Sequence, residues 1–177
     1  MLEDGSVYEG TARGDFKETA CEIVFNTSMT GYVEILTDPS YAGQGVVMTY
    51  PMIGNYGISR EDFESERLQP SAFIVHELSS DPSNFRCTDT IENLLKEYNI
   101  PCISGVDTRA VVKKLRESGT MRGVLTSDIG DRERLMDVIK SFRQIDLVGS
   151  VTAKQTKVYG EENTGAEIAL MDFGTQR

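Results

Sequence analysis

The chain carries one histidine, His76, and three cysteines, Cys21, Cys87 and Cys102. A single imidazole excludes any mechanism or metal site that needs two histidines from the same chain. His76 follows Phe73-Ile74-Val75 and precedes Glu77. A His–Glu neighbourhood can make a general base, but no nucleophile is visible for it to activate, and a strand-end residue facing solvent explains it as well. Cys21 lies between Ala20 and Glu22 in a strand signal, and Cys102 lies between Pro101 and Ile103. Both read as small core residues. Cys87 follows Arg86, whose charge can lower a thiol pKa, but it stands in a polar loop. The odd count, the wide spacings and the lack of a Cys-x-x-Cys argue against a disulfide framework and a zinc site.

Other chemistry is equally thin. The phosphate loop Gly-x-x-x-x-Gly-Lys-[Ser/Thr] does not occur. Gly43-Gln44-Gly45 begins a Gly-x-Gly, but Met48 stands at the third glycine position. There is no Gly-x-[Ser/Cys]-x-Gly elbow to strain a nucleophile. Glu64 and Glu66 form a carboxylate pair of the kind common in solvated loops.

The elements around these residues change period midway. Val7-Tyr8, Glu22 to Phe25, Tyr32 to Leu36, Gln44 to Tyr50 and Ala72 to Val75 carry strand signals, broken by Asn26-Thr27-Ser28, Thr37-Asp38-Pro39-Ser40 and Pro51. Residues 53–66 read as a long loop. Ile91, Leu94, Leu95 and Tyr98 then share one face of a helix, with Asp89 and Glu92 spaced as a capping box. A short strand over Pro101–Gly105 precedes a second helix, capped by Asp107, carrying Val111, Val112 and Leu115 and ended by Gly119. Val124-Leu125 reads as a strand, and Asp131 opens a third helix with Leu135, Val138, Ile139 and Phe142 on one face. Residues 153–167 lose all periodicity and read as a linker. Ile168 to Gly174 then reads as a buried strand. The expectation is a mixed α/β domain with antiparallel-type strands early and about three helices later.

The chain has 177 residues, 39% hydrophobic and 26% charged, so it can bury a core and is not wholesale disordered. Lys plus Arg number 18 against 28 Asp plus Glu, a formal net charge of −10, which repels nucleic acid and anionic membranes. No apolar run reaches the length of a bilayer span, and Met1-Leu2-Glu3-Asp4-Gly5 is no signal peptide, so a cytoplasmic protein is expected.

A longer signal runs from Phe25-Asn26-Thr27-Ser28-Met29-Thr30-Gly31-Tyr32 through Glu34-Ile35-Leu36-Thr37-Asp38-Pro39-Ser40-Tyr41 and Thr49-Tyr50-Pro51 to Ile53-Gly54-Asn55-Tyr56-Gly57. It resembles the N-terminal domain of the small, glutamine amidotransferase subunit of glutamine-dependent carbamoyl phosphate synthetase. Further segments resemble the family in order: Leu2-Glu3-Asp4-Gly5, Asp62-Phe63-Glu64-Ser65, Ser83-Asn84-Phe85-Arg86, Ile100-Pro101, Ser104-Gly105-Val106-Asp107-Thr108-Arg109, Gly119-Thr120-Met121-Arg122-Gly123 and Asp172-Phe173-Gly174. Three positions depart from the pattern. Gly45 replaces a residue that is usually β-branched, which would loosen its strand. His76 stands where Arg is frequent, and Thr175-Gln176 replaces a small residue and Lys.

The resemblance implies a swivelling β/β/α domain of three layers over residues 1–152, a linker over 153–167, and the first strand of a truncated class I amidotransferase domain over 168–177. It implies that the intact subunit hydrolyses glutamine with a Cys, His and Glu absent from this chain. Ammonia would pass to the large subunit, a ligase that makes carbamoyl phosphate from bicarbonate and two ATP for pyrimidine and arginine synthesis. The expected partners are that large subunit, forming a heterodimer, the chain's own amidotransferase domain, and glutamine. No cofactor is expected here, ATP and metal ion belonging to the large subunit. The resemblance places Ser40 in the glutamine site, and the local chemistry agrees: Asp38-Pro39 favours a turn that presents the Ser40 hydroxyl, which can donate and accept. Two other readings stay open, a stand-alone small-molecule binding module and a phosphohistidine-type swivelling domain using His76.

Overall fold

The computed structural model describes residues 1–14, 16–143, 146–158 and 168–175. Their strands are β1 (Thr11–Arg13), β2 (Thr19–Asn26), β3 (Gln44–Met48), β4 (Met52–Ile53), β5 (Ala72–Ile74), β6 (Glu77–Leu78), β7 (Cys102–Ser104) and β8 (Met121–Leu125). Their helices are α1 (Tyr32–Thr37), α2 (Ile91–Glu97), α3 (Thr108–Ser118), α4 (Arg132–Ser141) and α5 (Leu147–Val151).

Six strands form one sheet in the order β1-β7-β5-β3-β2-β8, and β4 and β6 form a small second sheet. The inner strands β7, β5, β3 and β2 run parallel, and only the two edge strands are antiparallel. The early strands are therefore not the antiparallel type expected. Val46-Val47-Met48 and Ala72-Phe73-Ile74 are buried on both faces, the condition under which parallel strands read as continuous apolar runs.

Register fixes which face each side chain serves. Val24, Val46, Phe73 and Cys102 align across the sheet and pack with Met48, α1 and α2 through Tyr32, Val33, Leu36, Ile91, Leu94 and Leu95. Phe25, Val47, Ile74 and Ile103 align on the opposite face, where Val111 and Leu115 of α3 and the N-terminal Leu2, Tyr8 and Phe16 cover them. Leu135 and Ile139 of α4 close over Val124. The result is the expected mixed, three-layered α/β domain, with five helices among the described residues rather than about three.

Tyr32–Thr37, expected as a strand, is a helix. Parallel β2 and β3 cannot be joined by a hairpin, so a crossover has to fill the space between them. As a helix this segment buries Tyr32, Val33, Ile35, Leu36 and Thr37 together, whereas a strand would turn alternate residues outward. Val7-Tyr8 is not a strand either: both residues line a cavity of about 410 Å³, and the edge strand forms later at β1.

The expected caps of α3 and α4 are present: Asp107 accepts from the Ala110 amide at 2.9 Å and Asp131 from Arg134 at 2.9 Å. The cap of α2 is displaced by one residue. Thr90 Oγ1 accepts from Asn93 N at 3.2 Å, while Asp89 accepts from Thr90 N and Asn93 Nδ2. Glu92 does not reach back but pairs with Lys96 at 3.1 Å.

Residues 153–158 of the expected linker are exposed and irregular, and residues 159–167 lie outside the described residues, as does Gln176. Residues 168–175 form no strand. A strand needs a neighbour to pair with, and neither sheet supplies one here. Ile168, Leu170, Met171 and Phe173 are consequently 91, 76, 76 and 61% exposed.

Candidate functional site

Ser40 lies in a single 3-10 turn, Pro39–Tyr41, directly after α1. Pro39 presets the backbone angle, and the Asp38 carboxylate accepts from the Ser40 amide at 2.7 Å. The Tyr41 amide returns to Asp38 O at 3.0 Å, closing the turn. Pro39 is buried and Ser40 is exposed. The Tyr41 hydroxyl accepts from Asn26 Nδ2 at 2.9 Å, which ties the turn to the end of β2. The Ser40 hydroxyl therefore stands on a braced turn, and it makes no hydrogen bond among the described residues.

Two further segments frame this turn. A Cβ built on Gly43 would meet Leu147 of α5 at 2.9 Å, and one on Gly174 would meet Val151 at 2.6 Å and Pro39 at 3.5 Å. Residues 172–174 thus cross beside the Ser40 turn. Asp172 holds them by accepting from the Gly174 and Thr175 amides at 2.7 Å each, and these bonds lower its carboxyl pKa.

Segments singled out separately in the sequence meet around α1. Tyr56 stacks on Tyr32 with ring centroids 4.1 Å apart. Its hydroxyl accepts from the Gly31 and Tyr32 amides at 2.7 and 3.2 Å, so a side chain from 25 residues downstream caps a helix whose own cap residue is glycine. The Tyr32 hydroxyl donates to Gly57 O at 2.8 Å. Burial pushes both phenols up. At the other end of α1, Thr37 Oγ1 donates to Val33 O and accepts from Glu64 N, each at 2.9 Å. Ser65 Oγ donates to Thr37 O at 2.5 Å. Arg86 joins the two outer loops, reaching Asp62 at 2.6 Å and Glu61 at 3.1 Å. Tyr56 as a distant cap was missed in the sequence, where only its place in a motif marked it.

The reactive side chains do not converge. His76 is exposed beyond β5, with Nδ1 3.1 Å from Val106 O and its own carbonyl accepting from Gly105 N at 2.7 Å. Burial pushes the Cys21 and Cys102 thiols up to about 12 each, which makes them inert. The half-buried Cys87 thiol donates to Asp89 O at 3.3 Å. The Glu64 amide donates to Thr37 Oγ1, and the Glu66 carboxylate receives Lys157 at 3.4 Å. Among the described residues no three His, Cys, Asp or Glu gather as a metal site, and no helix is long and apolar enough to cross a membrane.

Residues 1–125 match the family model for the carbamoyl-phosphate synthase small chain, CPSase domain. The chain is 47% identical over 176 residues to the carbamoyl phosphate synthase small chain of Caldanaerobacter subterraneus subsp. tengcongensis, covering 99% of this chain and 47% of that one. It is 46% identical to the small chain of Clostridium perfringens, covering 100% of this chain and 50% of that one. Against the small chain of Archaeoglobus fulgidus the identity is 47%, covering 99% and 49% respectively. The chain spans about half the length of the curated relatives it matches. Neither a stand-alone binding module nor a phosphohistidine carrier finds support among them.

Proposed function

The chain belongs to the carbamoyl-phosphate synthase small-chain family, and from that premise we propose that it forms the N-terminal, non-catalytic domain of a glutamine-hydrolysing small subunit. The intact subunit releases ammonia from glutamine and passes it to a large subunit. That subunit is a ligase and makes carbamoyl phosphate from bicarbonate and ATP for pyrimidine or arginine synthesis. The present residues supply a scaffold, one hydroxyl of the glutamine site and a docking face. The thiolate and its His and Glu partners come from an amidotransferase half joined through the 153–167 linker. ATP and metal ion belong to the large subunit, and the complex works in the cytoplasm.

The single observation that carries this reading is the end-to-end match to small chains about twice as long. The local geometry supports it. Both buried thiols are held protonated, and His76 has no nucleophile beside it. Ser40 sits on a braced, exposed turn, and Gly174 lies against Pro39 beside it. A hydroxyl that both donates and accepts suits the polar end of an amino acid.

Glutamate release by the 177-residue chain alone tests the assignment. None is expected, and turnover above the no-protein rate overturns it. In a small chain carrying both halves, Ser40→Ala is expected to raise KM for glutamine about 2- to 10-fold, the worth of one neutral hydrogen bond. An unchanged KM removes Ser40 from the site.

A further inference from the structure

A cluster of positive charge in this acidic chain lies on α3. Arg109, Val112, Lys113 and Arg116 line an open groove of about 580 Å³ together with Glu117 and Thr49, the first residue past β3. The spacing i, i+4 and i+7 places the three cations on one helix face over about 10 Å. All three are exposed, and none has an ion-pair partner among the described residues. Their neighbour Lys114 is paired with Asp4 at 3.0 Å. Half-buried Val112 adds an apolar contact in the middle of the stripe.

Ordinary helix chemistry does not account for this stripe. A cation at the end of a helix is favourable, which covers Arg116. Arg109 is the second residue of α3, where the positive end of the macrodipole disfavours a guanidinium. Nor does the groove suit a small anion. Its cations are water-exposed and spread over about 10 Å of helix, and half-buried Val112 lines it between them. An extended acidic protein surface meets all three cations at once.

We infer that this groove docks an acidic face of the partner large subunit, which rests on reading the chain as part of a two-subunit synthetase. The charge is complementary to such a face and opposite to the chain's own net charge of −10. Steering of this kind acts mainly on association rate and is lost in salt.

The experiment measures binding of the complete small chain to the large chain across a salt series. The Arg109→Glu/Lys113→Glu/Arg116→Glu variant is expected to weaken Kd about tenfold or more near 50 mM salt, mostly through slower association, and to converge on the unaltered chain near 500 mM. The corresponding triple Gln variant, which removes charge without reversing it, is expected to fall between, and thermal melting verifies that each variant is folded. Reversing Arg132 and Lys140 on α4 is expected to change Kd less than twofold. Equal weakening by that control means a net-charge effect and overturns the inference. So does a triple Glu variant that keeps Kd and salt slope, or displacement of the large chain by about 5 mM inorganic phosphate at constant ionic strength. Failure of the unaltered chain to bind the large chain overturns the subunit reading itself, and the inference with it.

Discussion

Replacing Gly45 by alanine places a methyl group where the core has no room. The new Cβ would lie 2.7 Å from Cys21 Sγ and 2.8 Å from Ile23 Cδ1, with Ala72 Cβ at 3.6 Å. Cys21 and Ile23 are 0 and 3% exposed, so neither can swing into solvent. Inserting a methyl into a close-packed core costs about 1–3 kcal/mol. Against this, removing a glycine from a strand recovers about 0.5–1 kcal/mol of unfolded-chain entropy. The net expectation is a loss of up to about 2.5 kcal/mol, or up to about 10 °C in Tm for a chain of this size, read by thermal denaturation. The expectation that glycine here loosens the strand is thus corrected: sulfur and isoleucine occupy the space a β-branched residue would take. Cys21→Ala is the diagnostic partner, because it removes the sulfur that the new methyl strikes. In a double-mutant cycle the pair should be less damaging than the sum of the singles by about 1 kcal/mol. A Gly45→Ala chain more stable than the parent, or a cycle additive within about 0.5 kcal/mol, would refute the reasoning.

Three further outcomes are expected. The Arg134 guanidinium and the Thr126 hydroxyl hold Glu18 down at about 2, against an ordinary 4.5, through bonds of 2.7–2.9 Å. Folding thus favours the ionised form, and the stability it adds is present above pH 4.5 and is lost as pH falls toward 2. Arg134→Met should narrow its gap to the parent through that window in acid denaturation, and a gap independent of pH would contradict this. With Ellman's reagent at neutral pH, Cys21 and Cys102 should stay unreacted until the chain unfolds, and prompt release of three equivalents from native protein would be inconsistent with their burial. Thr90→Ala should cost about 1 kcal/mol by urea denaturation, the usual worth of an N-cap, and an effect near zero would return the cap of α2 to Asp89.

Most of what was legible beforehand depends on near neighbours in the chain. The apolar period of α2, α3 and α4, the Asp107 and Asp131 caps and the Asp38-Pro39 turn under Ser40 each need only a few consecutive residues. Motif order alone likewise identified the family. Elsewhere the deciding partner is distant. Tyr32–Thr37 alternates well enough for a strand, and only the parallel pairing of β2 with β3, which demands a crossover between them, makes it a helix. Gly45 looked like a defect until Cys21 and Ile23 stood against it. Gly31 carries no side chain to cap α1, and Tyr56 does so from 25 residues away. The cations of α3 were present in its helical spacing, but their groove exists only because β3 delivers Thr49 to that face. Periodicity and turn chemistry are local energies and are written residue by residue. Strand pairing, close approach and the mouth of a groove arise from contacts between segments far apart in the chain, and those are decided when the sheet assembles.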